Sequence, residues 1–162
     1  MNAPVLIFGY GNISRGDDAL APLLLTYIEN NLADYLNNVE LLTDFQLQVE
    51  HALDLTQREL VLFIDACVAD IEAIAFQALS PARDNSYSTH AMSPQAVLFV
   101  YQTLTSSPPP PCFLLSIKGE QFVLGADLSS NASVHLQVAC QFIEQLLKQP
   151  HVNIWQGLCY SQ

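Results

Sequence analysis

VLIFGYGNISRGDD, residues 5–18, joins a continuously apolar segment to a helix through a glycine-containing loop. A short apolar run such as 5–8 is typical of a strand that is covered on both faces. After the loop, apolar residues recur at helical spacing from Leu20 to Ile28, and Pro22 lies near enough to the helix start to be tolerated. The loop is therefore expected to deliver two adjacent carboxylates, Asp17 and Asp18, to the N-terminus of a helix.

This pair of acids has two simpler interpretations than a functional one. A single Asp in a first helical turn is most often a cap, because it interacts with the exposed N–H groups and with the macrodipole. The glycines Gly9 and Gly11 also match the start of a dinucleotide fingerprint, but the third glycine is missing and two carboxylates would repel a pyrophosphate. A nucleotide site is therefore disfavoured, and a pair of acids is harder to explain as a cap than one.

Length and charge limit the classes of partner. A chain of 162 residues is expected to form one domain with a sizeable core. Its formal charge of −11 disfavours nucleic acid and anionic membranes as partners of a basic surface. The amino-terminal residues lack a signal-peptide pattern and no apolar stretch approaches the length of a membrane span, so we expect a soluble, cytoplasmic protein.

The four cysteines stand far apart in the sequence, without the Cys-x-x-Cys spacing of zinc or redox sites. They are predicted to be mostly buried thiols, as on the apolar face of the helix that carries Cys140. Cys67 follows Asp65 at a strand end, but no basic neighbour or helix N-terminus is evident that would activate its thiol. A nucleophilic role for Cys67 is therefore disfavoured.

Strand and helix patterns alternate along the rest of the chain. Further strands are predicted at 39–43, 60–64 and 113–117, and a weaker alternation at 74–78 predicts an edge strand. Helices are predicted at 49–55, at 94 to about 104 after the cap Ser93, and from the caps Ser129 and Ser130 onward. This order predicts a single three-layer α/β domain over residues 1–150, with a mostly parallel five-stranded sheet and helices on both faces, followed by a C-terminal tail, 151–162.

Acidic residues follow three of these strands. Asp17 and Asp18 come after the first strand, Asp44 after the second and Asp65 after the third. Parallel sheets bind ligands at the carboxyl ends of their strands, so we expect these side chains to line one cleft.

His90 is expected in the loop just before the helix at 94. A lone loop histidine is usually only exposed to solvent, but an imidazole beside two carboxylates suits Ni²⁺ or Zn²⁺ and leaves coordination positions open. The remaining histidines, His51, His135 and His151, lack comparable company in the sequence.

Three motifs together carry a family resemblance. GYGN at 9–12 with GDD at 16–18, then FIDA at 63–66, then THAM at 89–92 resemble, in this order, the hydrogenase maturation endopeptidases. That family trims the carboxyl-terminal extension from the large subunit of [NiFe] hydrogenases, and the match covers most of the chain. The resemblance implies that Asp18, Asp65 and His90 bind the nickel already loaded in the precursor, and it makes the same three residues the catalytic candidates. Zn²⁺ or Cd²⁺ can take the same site. The residues expected to shape the cleft are Gly9, Gly11, Asn12, Asp17 and Asp44.

Two positions depart from the family pattern. Many members follow the second strand with Asp-Gly-Gly-Thr, whereas Asp44 is followed here by Phe45-Gln46-Leu47, and Ala19 stands where glycine is usual. Which hydrogenase is the substrate therefore stays open.

The sequence contains neither a convincing Ser-His-Asp or Cys-His arrangement nor His-Glu-x-x-His. The preferred interpretation is that nickel positions the precursor tail and polarises the scissile carbonyl or a water, assisted by a cleft carboxylate. One alternative is a non-catalytic nickel-sensing chaperone that docks on the same precursor, and another is a structural module whose acids are only caps. The expected partner is the large-subunit precursor, with no nucleic acid and no membrane, and the protein is expected to be a monomer.

Overall fold

Five strands form one sheet in the order β2-β1-β3-β5-β4 in the computed structural model, which describes residues 2–84 and 92–159. The strands are β1 (Val5–Tyr10), β2 (Val39–Asp44), β3 (Leu60–Cys67), β4 (Ile74–Leu79) and β5 (Cys112–Lys118). β2, β1, β3 and β5 are parallel, and β4 pairs antiparallel with β5 at the sheet edge. The predicted α/β class, the mostly parallel sheet and the edge position of the fourth strand are confirmed.

Helices cover both faces of this sheet. They are α1 (Leu20–Asn31), α2 (Pro94–Thr105), α3 (Ser130–Lys148) and α4 (Val152–Leu158), with 3-10 helices at Gly16–Ala19, Ala33–Tyr35 and Val49–Leu55. α1, α3 and α4 pack on the face that carries Ile7 and Leu62, whereas α2 and Val49–Leu55 pack on the face of Leu6 and Phe63. Because successive side chains of a strand point to opposite faces, the continuously apolar strands supply both cores.

The helix starts follow the predicted caps. The Oγ of Ser93 accepts a hydrogen bond from the N–H of Ala96, and the Oγ of Ser129 accepts one from the N–H of Ala132. The helix predicted at 49–55 has these bounds but is a 3-10 helix. Asp17 and Asp18 lie in the 3-10 turn Gly16–Ala19, one turn before α1 itself.

The segment after residue 150, which the sequence sets apart as a tail, contributes to the core through α4. Trp155 is fully buried, and its indole Nε1–H donates a 3.1 Å hydrogen bond to the carbonyl of Leu146. Its ring meets Phe76 and Phe113 edge-on. None of the helices within residues 2–84 and 92–159 has the length and apolar character needed to cross a membrane.

Candidate metal centre

Asp18 and Asp65 meet at the carboxyl edge of the sheet, as the strand order predicts. β1 and β3 are neighbours whose register ends at Gly9 and Ile64, so the loop after β1 starts beside Asp65. Burial and, second to it, the nearby charge of Asp18 raise the pKa of Asp65 to about 7, although hydrogen bonds from Ala66 and Tyr10 act to lower it. Two carboxylates that repel each other in a partly buried site form a donor set that a divalent cation would stabilise.

The Tyr10 side chain holds Asp65 in place. Its hydroxyl is hydrogen-bonded to the Asp65 carboxylate, and burial followed by the charge of that carboxylate raises the pKa of Tyr10 well above its usual value. Tyr10 therefore donates to Asp65 at neutral pH. Sequence reasoning missed this contact, although the register could have indicated it, since Tyr10 and Asp65 directly follow the paired residues Gly9 and Ile64.

The loop backbone holds Asp18. The N–H of Asn12 donates a 2.6 Å hydrogen bond to Oδ2 of Asp18, and Oδ1 of Asn12 accepts one of 2.8 Å from the N–H of Ser14. A Cβ at Gly11 would overlap the carbonyl oxygen of Asp18, so only glycine allows this close approach.

The other predicted cleft-shaping residues lie around the same loop. The N–H of Gly11 donates to the carbonyl of Asp44 at 3.0 Å, which ties the loop to the end of β2. A Cβ at Gly9 would lie 3.0 Å from the side chain of Leu25, so Gly9 lets α1 pack closely on β1.

Asp17 is fully buried and is not simply a helix-start residue. Its Oδ2 accepts hydrogen bonds from the N–H of Glu120 (2.7 Å), the N–H of Gln121 (3.0 Å) and the hydroxyl of Ser129 (2.7 Å), and its Oδ1 accepts one from the N–H of Ser129 (2.7 Å). Burial would raise the pKa of Asp17, but these hydrogen bonds outweigh burial and the pKa is lowered. Asp17 therefore stays ionised and fastens the loop 119–129 to the loop of Asp18.

Backbone hydrogen bonds run between the same two loops in both directions. The N–H of Gly16 donates to the carbonyl of Ala126, that of Asp17 to Gln121, and that of Gly125 to Ser14. Gly16 adopts φ +56°, and a Cβ there would overlap the carbonyl of Gln121. The loop that carries Asp18 is thus held from two sides, by β2 and by 119–129.

His51 has a partner that the sequence did not reveal. Its Nε2 lies 3.1 Å from Oδ2 of Asp44, and its Nδ1 accepts a hydrogen bond from the N–H of Gln48. Both ring nitrogens are therefore engaged, Nδ1 by the backbone of Gln48 and Nε2 by the carboxylate of Asp44. The contact orients Asp44 at the end of β2.

His90, the third predicted ligand, lies outside the described residues. Within residues 2–84 and 92–159, no three His, Cys, Asp or Glu side chains are grouped so that they could hold a metal. Of the predicted ligands, the described chain therefore contributes the carboxylates Asp18 and Asp65.

The prediction that the cysteines are mostly buried is wrong, because only Cys112 is buried and Cys67, Cys140 and Cys159 are partly exposed. All four are free, and burial raises the pKa of each. For Cys67, the charge of Asp65 adds to this rise. A raised pKa lowers the thiolate fraction at neutral pH, which argues against a cysteine nucleophile.

Comparison with known proteins identifies the fold. No family model matches the sequence, and no curated protein matches it either. The structure is similar to the [NiFe] hydrogenase maturation protease HycI from Thermococcus kodakarensis KOD1, with a TM-score of 0.68 at 20% identity over 91% of this chain and 94% of that one. It is also similar to the hydrogenase maturating endopeptidase HybD from E. coli, with a TM-score of 0.69 at 19% identity over 93% and 94% of the two chains. An uncharacterized protein from Wolinella succinogenes matches with a TM-score of 0.60 at 21% identity over 92% and 99%. The chain therefore has the fold of the hydrogenase maturation proteases, as its motifs predict.

Proposed function

We propose that this protein is an endopeptidase that removes the carboxyl-terminal extension of a nickel-loaded [NiFe] hydrogenase large-subunit precursor, with the bound nickel as the recognition element. The observation that carries the proposal is the meeting of Asp18 and Asp65 at the carboxyl edge of the sheet. The proposal is supported by the fold, which is shared over more than 90% of both chains with proteins named as hydrogenase maturation proteases.

The donor set suits nickel that arrives with the substrate. Two carboxylates and the imidazole of His90 would leave coordination positions for ligands from the precursor itself. Bound there, the ion would anchor the precursor and polarise the scissile carbonyl or a water. An open site of this kind holds free metal weakly, so stoichiometric nickel retained by the isolated protein through chelation would contradict recognition through the precursor's ion.

The residues around this centre hold the two carboxylates in position. The hydroxyl of Tyr10 orients Asp65, and the N–H of Asn12 orients Asp18. Asp17 holds the loop that carries Asp18 against the loop 119–129. Preorganisation of this kind matters because catalytic groups displaced by about 1 Å lose much of their effect.

The test is to incubate the protein with nickel-loaded and with nickel-free precursors and to measure intact masses. We expect a loss of one carboxyl-terminal peptide from the nickel-loaded precursor only. Nickel-dependent binding without a mass loss would instead establish the non-catalytic nickel-sensing chaperone. If the protein neither binds nor cleaves any precursor, the remaining interpretation is a structural module.

A further inference from the structure

An apolar groove of about 360 Å³ lies between α1 and the edge strand β2, beside the candidate metal centre. Pro22 and Thr26 of α1 form one wall and Leu41 of β2 forms the other. Gly11, which packs against Asp18, lines its end. The groove is at the small end of the range of ligand sites, about 300 to 1,000 Å³, which suits a few side chains of a peptide.

The outer edge of β2 offers free backbone groups along this groove. In a parallel strand, alternate residues direct both N–H and C=O to the same side. The carbonyl of Asp44 accepts a hydrogen bond from Gly11, so Asp44 faces β1. Leu41 and Thr43 lie an odd number of residues before Asp44, so their N–H and C=O groups point away from β1. Among the described residues, no segment forms a backbone hydrogen bond with Leu41 or Thr43 on this side of the strand. Such an edge is a template for an added strand.

The rim of the groove indicates the chemistry of its occupant. Ile13 is 65% exposed and Phe45 is 68% exposed, and both line the groove at the end nearest Asp18. The charged side chains of the lining, Glu29 and Asp44, are both acidic. Glu29 has no ion pair within the described chain. A second copy of this chain, with its formal charge of −11, would be repelled, whereas an apolar segment with basic residues would be attracted.

We infer that the precursor segment around the cleavage site binds in extended form as an additional strand on the outer edge of β2. This inference rests on the proposed function. An apolar side chain of the segment fills the groove between Thr26 and Leu41, and a basic side chain lies beside Glu29. Because the groove ends at Gly11, the added strand leads the segment to Asp18 and Asp65.

A bulky residue at position 26 tests occupation of the groove. Thr26→Trp fills the groove, and Thr103→Trp is its matched control. Both threonines are exposed on helices, and each donates its hydroxyl to the carbonyl four residues earlier, at 3.2 and 2.9 Å. We expect Thr26→Trp to raise KM for the nickel-loaded precursor about tenfold with kcat nearly unchanged, because it removes binding and not chemistry. Thr103→Trp should process like the wild type.

A charge reversal tests the acidic rim. Glu29→Lys should raise KM, and the difference from the wild type should shrink at high salt as the charges are screened. Glu59→Lys, which changes the net charge equally at an exposed site before β3, is the control and should leave KM unchanged. Hydrogen exchange in the complex with nickel-loaded precursor, measured with a slowly cleaved precursor variant, should show slowed exchange at the amides of Leu41 and Thr43.

The outcomes separate this inference from the function on which it rests. If the wild type cleaves the precursor while Thr26→Trp and Glu29→Lys keep wild-type KM, the groove inference is wrong and the proposed function stands. Unchanged exchange at Leu41 and Thr43 would also overturn strand addition. If the wild type cleaves no precursor, both fail. Concentration-dependent dimerisation that protects Leu41 and Thr43 without precursor would assign the edge to a second copy instead.

Discussion

Two adjacent acids in one 3-10 turn have different tasks. Asp17 is fully buried and accepts hydrogen bonds from a loop more than 100 residues away, whereas Asp18 is partly exposed and bonded to Asn12. Asp18 is therefore available to a ligand, and Asp17 is committed to the fold.

Replacement of Asp17 should cost stability. In Asp17→Asn, one carboxylate oxygen becomes an NH₂ group that cannot accept hydrogen bonds, so at least one part-buried donor of the loop 119–129 loses its partner. We expect the free energy of unfolding to fall by about 2 to 3 kcal/mol. Urea unfolding measures this, with Asp127→Asn, an exposed acid of the same loop, as the control. Equal unfolding midpoints for Asp17→Asn and the wild type would contradict the assigned role.

The difference in stability between the wild type and Asp17→Asn should depend on pH. The pKa of Asp17 is lowered in the folded state, so its contribution to stability is complete above the unfolded value of about 3.9 and is lost as pH falls through the folded value. The difference in stability between the wild type and Asp17→Asn should be constant from about pH 5 to 7 and should narrow below about pH 4. A difference that widens in acid would show that the ionised carboxylate is not what stabilises the loop.

Some contacts of individual residues could be predicted from the sequence, and others could not. Asp18 and Asp65 could be paired from sequence because both follow parallel strands, and strand ends meet at one edge. The partners of Asp17 could not be predicted, because hydrogen bonds to Glu120 and Ser129 depend on where the loop after β5 folds back. The contact of His51 with Asp44 is similar, since it depends on the path of the chain after β2.

The loop from Gly11 to Asp18 determines where the carboxylate of Asp18 lies in the candidate metal centre. Gly11→Val places side-chain atoms where the carbonyl of Asp18 lies, so the loop must shift. We expect processing to fall as far as in variants of the ligands. Asn12→Ala should give a partial loss, because it removes the bond to Ser14 but keeps the backbone N–H that donates to Asp18.

Precursor processing measures both variants. Gly157→Val is the control, since a Cβ at Gly157 meets open space. A crystal structure of Gly11→Val with Asp18 unmoved beside Asp65, together with full activity, would show that the glycine is incidental.

Element positions could be predicted more closely than element types. The bounds 49–55 are correct, but hydrogen-bond geometry made the segment a 3-10 helix. β3 extends to Cys67, beyond the predicted Ile64, because pairing with β5 continues through Ser116 to Lys118. Strand pairing of this kind joins distant segments and is not visible in a local apolar pattern.

For the whole molecule, the carboxyl-terminal helix closes the core on the face of α1 and α3. Trp155 fills that core although it lies in the segment assigned from sequence to a tail. The burial of Trp155 could not be predicted, because residues 149–153 are mostly polar and one buried tryptophan produces no periodic pattern.

Trp155→Ala should therefore destabilise the entire domain. Loss of a buried aromatic side chain costs about 3 to 5 kcal/mol, and the indole bond to Leu146 is lost as well. Ile154→Ala, at a 37% exposed position of the same helix, is the control. Thermal and urea unfolding check the prediction, and a Trp155→Ala protein as stable as its control would show that α4 is dispensable.

The central claim is that Asp18 and Asp65 act together on nickel presented by the precursor. The most direct measurement is the single-turnover rate at which Asp18→Asn and Asp65→Asn cleave nickel-loaded precursor, compared with Asp34→Asn, an exposed acid of the 3-10 helix Ala33–Tyr35. Loss of a ligand should slow cleavage by at least about a hundredfold with the fold retained, and His90→Ala should match it. The Asp34→Asn control should cleave at the wild-type rate. Normal cleavage by Asp18→Asn, Asp65→Asn and His90→Ala would contradict the account.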